Sequence, residues 1–224
     1  MWDWNYTWEI LPQLLKVVPI TITVTVLAFI LACVLAIPLA IAKQSQNKWV
    51  SIPVLAVTDF IRKTPLIIQL FILVFVLPTA IGLTLSPFIA GMIGLGIHYC
   101  TYLSEVYRSG IEAVPRGQWE ASTALNFSKF KTWIRVILPQ SIPPTIPVMG
   151  NYLIVMFKET PTLSAITLVE LLLTVKTLGS APFKYVEALT LVGIIFLALS
   201  YPSALLVRAL ERKMQVREGR TAVK

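Results

Sequence analysis

Five apolar runs organise the chain, at residues 17–42, 52–76, 88–107, 142–165 and 185–207, each bounded by Pro, Gly or charge. A bilayer core is crossed by a helix of about 20 apolar residues, so every run is long enough to span it. Backbone polar groups in hydrocarbon must pair within their own segment, which predicts that all five are helices. Only Thr21-Ile22-Thr23-Val24-Thr25-Val26 alternates with a strand-like period. Its length and flanks overrule that period, because threonine hydroxyls in a membrane helix bond back to the preceding turn.

Composition narrows the class. Of the 224 residues 56% are hydrophobic and 13% charged, whereas a soluble domain has about a quarter charged. The formal charge of +8 raises nucleic acid as a partner, but a nucleic-acid-binding domain gathers its Lys and Arg as a patch on a soluble core. Here they lie between apolar runs, so no nucleic acid is expected and membrane lipid is. Cys33 and Cys100 both sit inside apolar runs and read as small packing residues, not a disulfide framework. Residues 1–9 carry Asp3 and Glu9 but no Lys or Arg, unlike the basic start of a cleaved signal peptide, so the first span is expected to persist.

Counting Lys and Arg orients the chain. Residues 43–48 have two, the loop 108–139 has Arg108, Arg116, Lys129, Lys131 and Arg135, and the tail has Arg208, Arg212, Lys213, Arg217, Arg220 and Lys224. Positive charge favours the cytoplasmic side, which predicts an external N-terminus and a cytoplasmic C-terminus. Trp2, Trp4, Tyr6 and Trp8 precede the first run, where headgroup anchoring accounts for them. No internal repeat stands out, which removes the usual pointer to a carrier built from inverted halves.

The loop 108–139 is the most informative stretch. Residues 117–126 read as a short helix rich in small residues that ends at Asn126, a residue tolerant of the left-handed C-terminal conformation. Ser128 caps a second helix, in which Phe130, Trp133, Ile134 and Ile137 form one apolar stripe and Lys131 and Arg135 the solvated side. Leu138-Pro139 is expected to stop it, and Pro143, Pro144 and Pro147 to shape the entry into the fourth span.

Here the chain resembles the permeases of binding-protein-dependent ABC importers, whose signature is Glu-Ala-Ala, three residues, Gly, nine residues, Ile, any residue, Leu-Pro. Glu120 and Ala121 match, Ser122 replaces Ala, Asn126 replaces Gly at the right spacing, Val136 replaces Ile, and Leu138 and Pro139 match. Phe60-Ile61-Arg62-Lys63-Thr64-Pro65-Leu66 with Gln69-Leu70 looks like a segment of the polar-amino-acid branch (histidine/glutamine permease-like), with Lys63 where Gly is usual. The run from Tyr102 to Glu120 is similar to the branch's own, and Lys158-Glu159-Thr160-Pro161-Thr162-Leu163 corresponds to its Lys-acid-Thr-Ser-Leu segment, with Pro161 a departure that alters the local helix. The resemblance extends over residues 49–170. Its narrowest form is to ectoine/hydroxyectoine permease subunits, on overall likeness with no residue tied to ectoine.

The resemblance implies an all-α integral membrane permease with the type I importer fold, one transmembrane domain over residues 1–224, with 108–139 as its coupling loop. It implies a second, like or identical permease, two cytoplasmic ATPase subunits, an external solute-binding protein, and a polar amino acid or amino-acid-like zwitterion as cargo. The coupling set would be Gly117, Gln118, Trp119, Glu120, Ala121, Ser122, Ala124 and Asn126 with Leu138 and Pro139. Trp119 suits a partner's pocket, Ala121 and Ala124 allow close approach, and Glu120 can meet a basic group. The plainer alternative is an amphipathic helix on the membrane surface, which needs neither the turn nor the Leu-Pro at these spacings.

No G-x-x-x-x-G-K-[ST] occurs, so ATP and Mg are expected on the partner ATPase and no cofactor or metal on this chain. With no H-E-x-x-H, no G-x-S-x-G and a single histidine, His98, that reads as a satisfied interior residue, the chain is not expected to be an enzyme. Charges at membrane depth mark interior paths or partners, which singles out Glu105, Lys158 and Glu159 for a substrate path, with Gln69 as a weaker lining residue. Adjacent Lys158 and Glu159 point to different faces yet supply both signs for a zwitterion. Glu105 has Arg108 at i+3, and Asp59 has Arg62 and Lys63 at i+3 and i+4, where pairing is the simpler role. The rival classes are an ion-coupled carrier using Glu105 or Glu159 as a proton site, and a membrane anchor that carries nothing.

Overall fold

The computed structural model describes residues 2–180 and 182–221, with side chains to residue 214. The tail's Arg217 and Arg220 therefore fall beyond the described side chains, and Lys224 lies outside the described residues. Among the described residues the regular elements are all helical.

Helix α1 (Trp4–Lys43) has 40 residues and is about 60 Å long. Asp3 caps it by accepting the Tyr6 N–H at 3.1 Å. The helix starts well before residue 17, because Asn5, Glu9 and Gln13 dilute the hydropathy of its first turns while lying on one exposed face. Tyr6, Ile10 and Leu14, about 100° further round the helix, are buried and pack with Leu171, Val175 and Ala188. Tyr6 is thus a core residue and not a headgroup anchor, whereas Trp4 and Trp8 are exposed. The helical reading of the threonine-rich stretch holds: Thr25 donates its hydroxyl to the Thr21 carbonyl at 2.7 Å and Thr21 to Val17 at 3.3 Å.

Helix α2 (Lys48–Lys63) is capped by Asn47 and followed by α3 (Leu66–Phe71), a π-helical turn (Ile72–Val76) and α4 (Leu77–Ile81). The run 52–76 is consequently not one straight span. It bends by 102° at Thr64-Pro65, since the proline ring pushes the preceding residue out of the helical region and Thr64 adopts ψ 141.

Helix α5 (Pro87–Glu112) begins at Ser86, whose side chain accepts the Ile89 N–H at 3.4 Å. It makes the most extensive packing in the molecule, against α1. Val24, Ala28, Ala32, Ala36 and Ala40 stand four residues apart on α1 and are all fully buried. Facing them, Gly96 leaves little room for a side chain: a Cβ there would sit 2.7 Å from a Leu31 methyl, which would have to shift, and 3.3 Å from the Ala28 carbonyl oxygen. Helices in lipid gain little from burying apolar surface, so such backbone approach is what joins them.

After α5 come α6 (Arg116–Ala124), α7 (Lys129–Thr132), a π-helical turn (Trp133–Ile137), α8 (Leu138–Ser141), a 3-10 turn (Pro143–Thr145) and α9 (Ile146–Glu159). A second 3-10 segment (Thr160–Ile166) begins at Pro161 and leads to α10 (Leu171–Ser180) and α11 (Tyr185–Thr221). Pro139 does not stop its helix. Each π turn precedes a Leu-Pro pair, and its wider loop removes the hydrogen bond a proline cannot make: the Leu77 N–H reaches the Ile72 carbonyl and the Leu138 N–H that of Trp133. The wider turn also splits the expected apolar stripe. Ile137 is fully buried and Trp133 half-buried, while Phe130 and Ile134 face outward.

Helix α10 lies between the fourth and fifth apolar runs, outside both. Glu170 starts it by accepting the Leu173 N–H at 2.8 Å, and its Leu171 and Val175 join the core of α1 and α11. By length and apolarity α1 and residues 185–214 of α11 can each cross a membrane, and two bent pairs, Lys48–Lys63 with Leu66–Ile81 and Lys129–Ile166 with Leu171–Ser180, meet the same test jointly. Helix α5 is long enough but less apolar, because its glycines, His98 and tyrosines pack inside the protein.

Gly110 fastens the loop to α5, since a Cβ there would lie 2.6 Å from both the Ser141 carbonyl oxygen and a Thr145 methyl. Backbone cannot swing aside as a side chain does, so Gly110→Ala should destabilise the protein by about 1–3 kcal/mol. Gly117→Ala, with open space around its Cβ, should leave the melting temperature of the purified protein in detergent unchanged.

Candidate functional site

The loop helix α6 is a short protrusion braced from behind. Gly117, Gln118, Glu120, Ala121, Thr123, Ala124 and Leu125 form its exposed surface. Ser122 faces inward, nearly fully buried, and donates its hydroxyl to the Gln118 carbonyl at 2.7 Å. Trp119 turns inward too. Its ring meets that of Trp133 edge-on with centroids 5.3 Å apart, so it braces the helix from within and the large uncovered apolar side chain is Leu125, 68% exposed.

The C-terminus of α6 closes as a Schellman turn. The Phe127 N–H reaches back to the Ser122 carbonyl at 3.0 Å and the Asn126 N–H to that of Thr123 at 2.9 Å. Asn126 holds φ 54, the left-handed conformation expected of it. Ser128 then caps α7 by accepting the Lys131 N–H at 3.3 Å, and the Lys131 ammonium lies 4.0 Å from the centre of the Phe127 ring. Gln140 joins the two halves by donating to the Gln118 side-chain oxygen at 3.2 Å. Leu138 is half-buried and Pro139 exposed on the second half.

The charges singled out at membrane depth separate into two groups. Glu105 is an ion-pair hub: its Oε1 accepts from Lys43 at 2.8 Å and faces Arg62 at 3.5 Å, and its Oε2 accepts from Arg108 at 2.7 Å. Three bases surround this carboxylate, so ion pairing is its evident role, while 26% of the side chain stays exposed. Asp59 pairs with Arg62 and Lys63 on its own helix. Gln69 is likewise occupied, donating to the carbonyls of Ile61 at 2.8 Å and Thr64 at 3.2 Å, so it repairs the bend.

Lys158 and Glu159 form no ion pair with each other; Lys158 is exposed and Glu159 half-buried beside Tyr99. Around Tyr99 lies a cluster the apolar pattern did not reveal. His98, Tyr99 and Tyr102 of α5 and Tyr152 of α9 have neighbouring ring centroids 5.3–6.2 Å apart. His98 is buried and its Nδ1 faces the Gln69 side-chain oxygen at 3.2 Å, a satisfied interior histidine. The spacing of Tyr99 and Tyr102 was a visible signal; Tyr152 comes from another span.

A helical membrane body with a braced helix protruding from one loop is the architecture of a type I ABC-importer permease. It superposes on a crystal structure of an amino acid ABC transporter with histidines at TM-score 0.86 and 28% identity, covering 95% of this chain and 99% of that one. Inward-facing MetNI methionine transporter shares the fold at TM-score 0.70 and 18% identity, over 88% of this chain and 95% of that one. Among curated relatives, a probable amino-acid ABC transporter permease of Sinorhizobium fredii is 40% identical over 93% of this chain and 94% of its own length. The nopaline transport system permease of Agrobacterium fabrum is 32% identical over 96% and 95%. Residues 28–216 match the family of binding-protein-dependent transport system inner membrane components. The chain belongs to that family: it is the multi-pass inner-membrane permease subunit of an amino-acid ABC importer, whose ATPase is a separate partner. Membership also implies a partner permease and a solute-binding protein.

At φ 54 a β-branched side chain is strained by roughly 1–3 kcal/mol, so Asn126→Val should loosen the turn and speed cleavage between α6 and α7 in limited proteolysis. Asn126→Gly should leave the cleavage rate as it is.

Proposed function

We propose that α6 is the lever through which the ATPase subunits drive this permease, and that the carried solute is a small zwitterion of the amino-acid type. The carrying observation is the exposed small-residue surface of α6, with open space at Gly117 and Trp119 and Trp133 locked behind it. Small residues let a partner's groove approach the backbone. The Leu125 side chain enters the groove, Glu120 meets a basic group at its edge, and the rigid Asn126 turn passes the displacement into the membrane body. A membrane-surface helix would carry a broad apolar face instead.

In this reading five spans cross the membrane, the N-terminus is external, and α6 and the C-terminus are cytoplasmic, in keeping with the Lys and Arg distribution. ATP and Mg act on the partner ATPase, and this chain binds no cofactor. Transport is vectorial movement of solute between two permeases as the cavity changes sides, which requires contacts that differ in the two states. Glu159 and the rings of Tyr102 and Tyr152, backed by the buried Tyr99, are the groups of this chain offered to the solute. A carboxylate among aromatic faces suits an ammonium, which rings attract through their negative faces. A relative's name specifies nopaline and others specify arginine and L-cystine, all amino acids or derivatives. The ion-coupled carrier loses its proton site in Glu105, which is held by three bases.

The complete transporter in liposomes tests both parts. Leu125→Asp and Glu120→Arg should each lower ATP-driven uptake by about tenfold or more, with the permease still folded and ATP hydrolysis no longer responding to solute; unchanged uptake would sink the lever. Glu159→Gln should raise the KM for uptake while hydrolysis without solute stays as it was. Competition among labelled polar amino acids, ectoine and hydroxyectoine identifies the cargo.

A further inference from the structure

The bend between α2 and α3 is held by Gln69 of α3 together with side chains from one face of α5. Proline at 65 has no N–H for the Ile61 carbonyl, and Gln69 supplies the missing donor at 2.8 Å. Gln69 is in turn faced by His98. One turn along α5, Tyr102 donates its hydroxyl to the Arg62 carbonyl at 3.4 Å. One turn further, Glu105 meets the Arg62 guanidinium at 3.5 Å. Residues 98, 102 and 105 follow the i, i+4, i+7 spacing of a single helix face. Glu105 alone extends the contact to a third element, through Lys43 at the end of α1, whose side chain has no exposed surface and whose ammonium also donates to Ser104 at 2.7 Å.

We propose that Glu105 is a positioning residue for transport: it locks the α2–α3 bend to α5 and α1, so that α3 and α4 move with α5 as one body. Three bases on one carboxylate make the lock electrostatic, and its partners at Lys43, Arg62 and Arg108 belong to three different helices. Neutralising Glu105 strands a buried ammonium and releases the guanidinium beside the bend. Helix α5 leads directly into α6, so the lock delivers displacement of the lever to α3 and α4. That delivery rests on the reading of α6 given above, whereas the lock does not.

The test uses the assembled transporter with spin labels at Val57→Cys on α2 and Ala113→Cys at the end of α5, in a background carrying Cys33→Ser and Cys100→Ser and diluted with unlabelled permease. The parent should give one narrow distance distribution. Glu105→Gln and Arg62→Met should both broaden it, the double variant should be no broader than the worse single one, and Glu105→Asp should restore much of the narrowness. A distribution in Glu105→Gln as narrow as the parent's overturns the lock. Should Glu105→Gln fail to assemble, Arg62→Met, which leaves Lys43 paired, carries the same comparison. Uptake should fall about tenfold in Glu105→Gln, with hydrolysis persisting but insensitive to solute. Broadening with undiminished uptake overturns the transport role and leaves the lock. Glu120→Arg separates the two readings, because it should lose uptake while the distribution stays narrow.

Discussion

The close approach of α1 and α5 is the contact on which the remaining architecture depends. Four alanines on one face of α1 and Gly96 of α5 let two backbones come close, which dispersion forces reward only when nothing protrudes between them. Everything else hangs from this pair. Helix α5 supports the bend of α2 on one side, the loop base through Gly110 on another, and α9 through Tyr99 and Tyr152.

Three prolines shape the rest, and each is accompanied by its own repair. At Thr64-Pro65 the chain breaks sharply and the orphaned carbonyls are met by Gln69 and Tyr102. At Pro78 and Pro139 the helix continues through a π turn. The difference follows from what surrounds the residue: side-chain donors are at hand beside the first, while the other two absorb the missing bond within their own helix.

Much of this was legible from residue order alone. Long apolar runs announced the membrane body, and the spacing from Glu120 to Pro139 announced the loop with its left-handed Asn126. Less legible was anything set by a distant partner. Glu105 showed only Arg108 nearby in sequence, while Lys43 and Arg62 arrive from other helices. Trp119 looked like an outward anchor because a helix does not declare which face its neighbours cover, and Trp133 covers that one. The bend at Pro65 lay inside a run long enough to read as one span, although Asp59, Arg62, Lys63 and Thr64 interrupt its apolar character just before the proline, and the early start of α1 lay behind polar residues confined to one side of it. The tyrosine cluster needed the fold to bring α5 and α9 together.

Helix α1 is tethered at both extremities. Near its start Asp3 accepts from Lys184 at 2.6 Å, and this ammonium holds the Asp3 carboxyl below its ordinary range; at its finish Lys43 is gripped by Glu105. A rod pinned at one point can swivel about it, but a rod pinned at two can only tilt, carrying both attachments along. Events at the two ends of the bundle are thereby geared to one another through a single continuous helix.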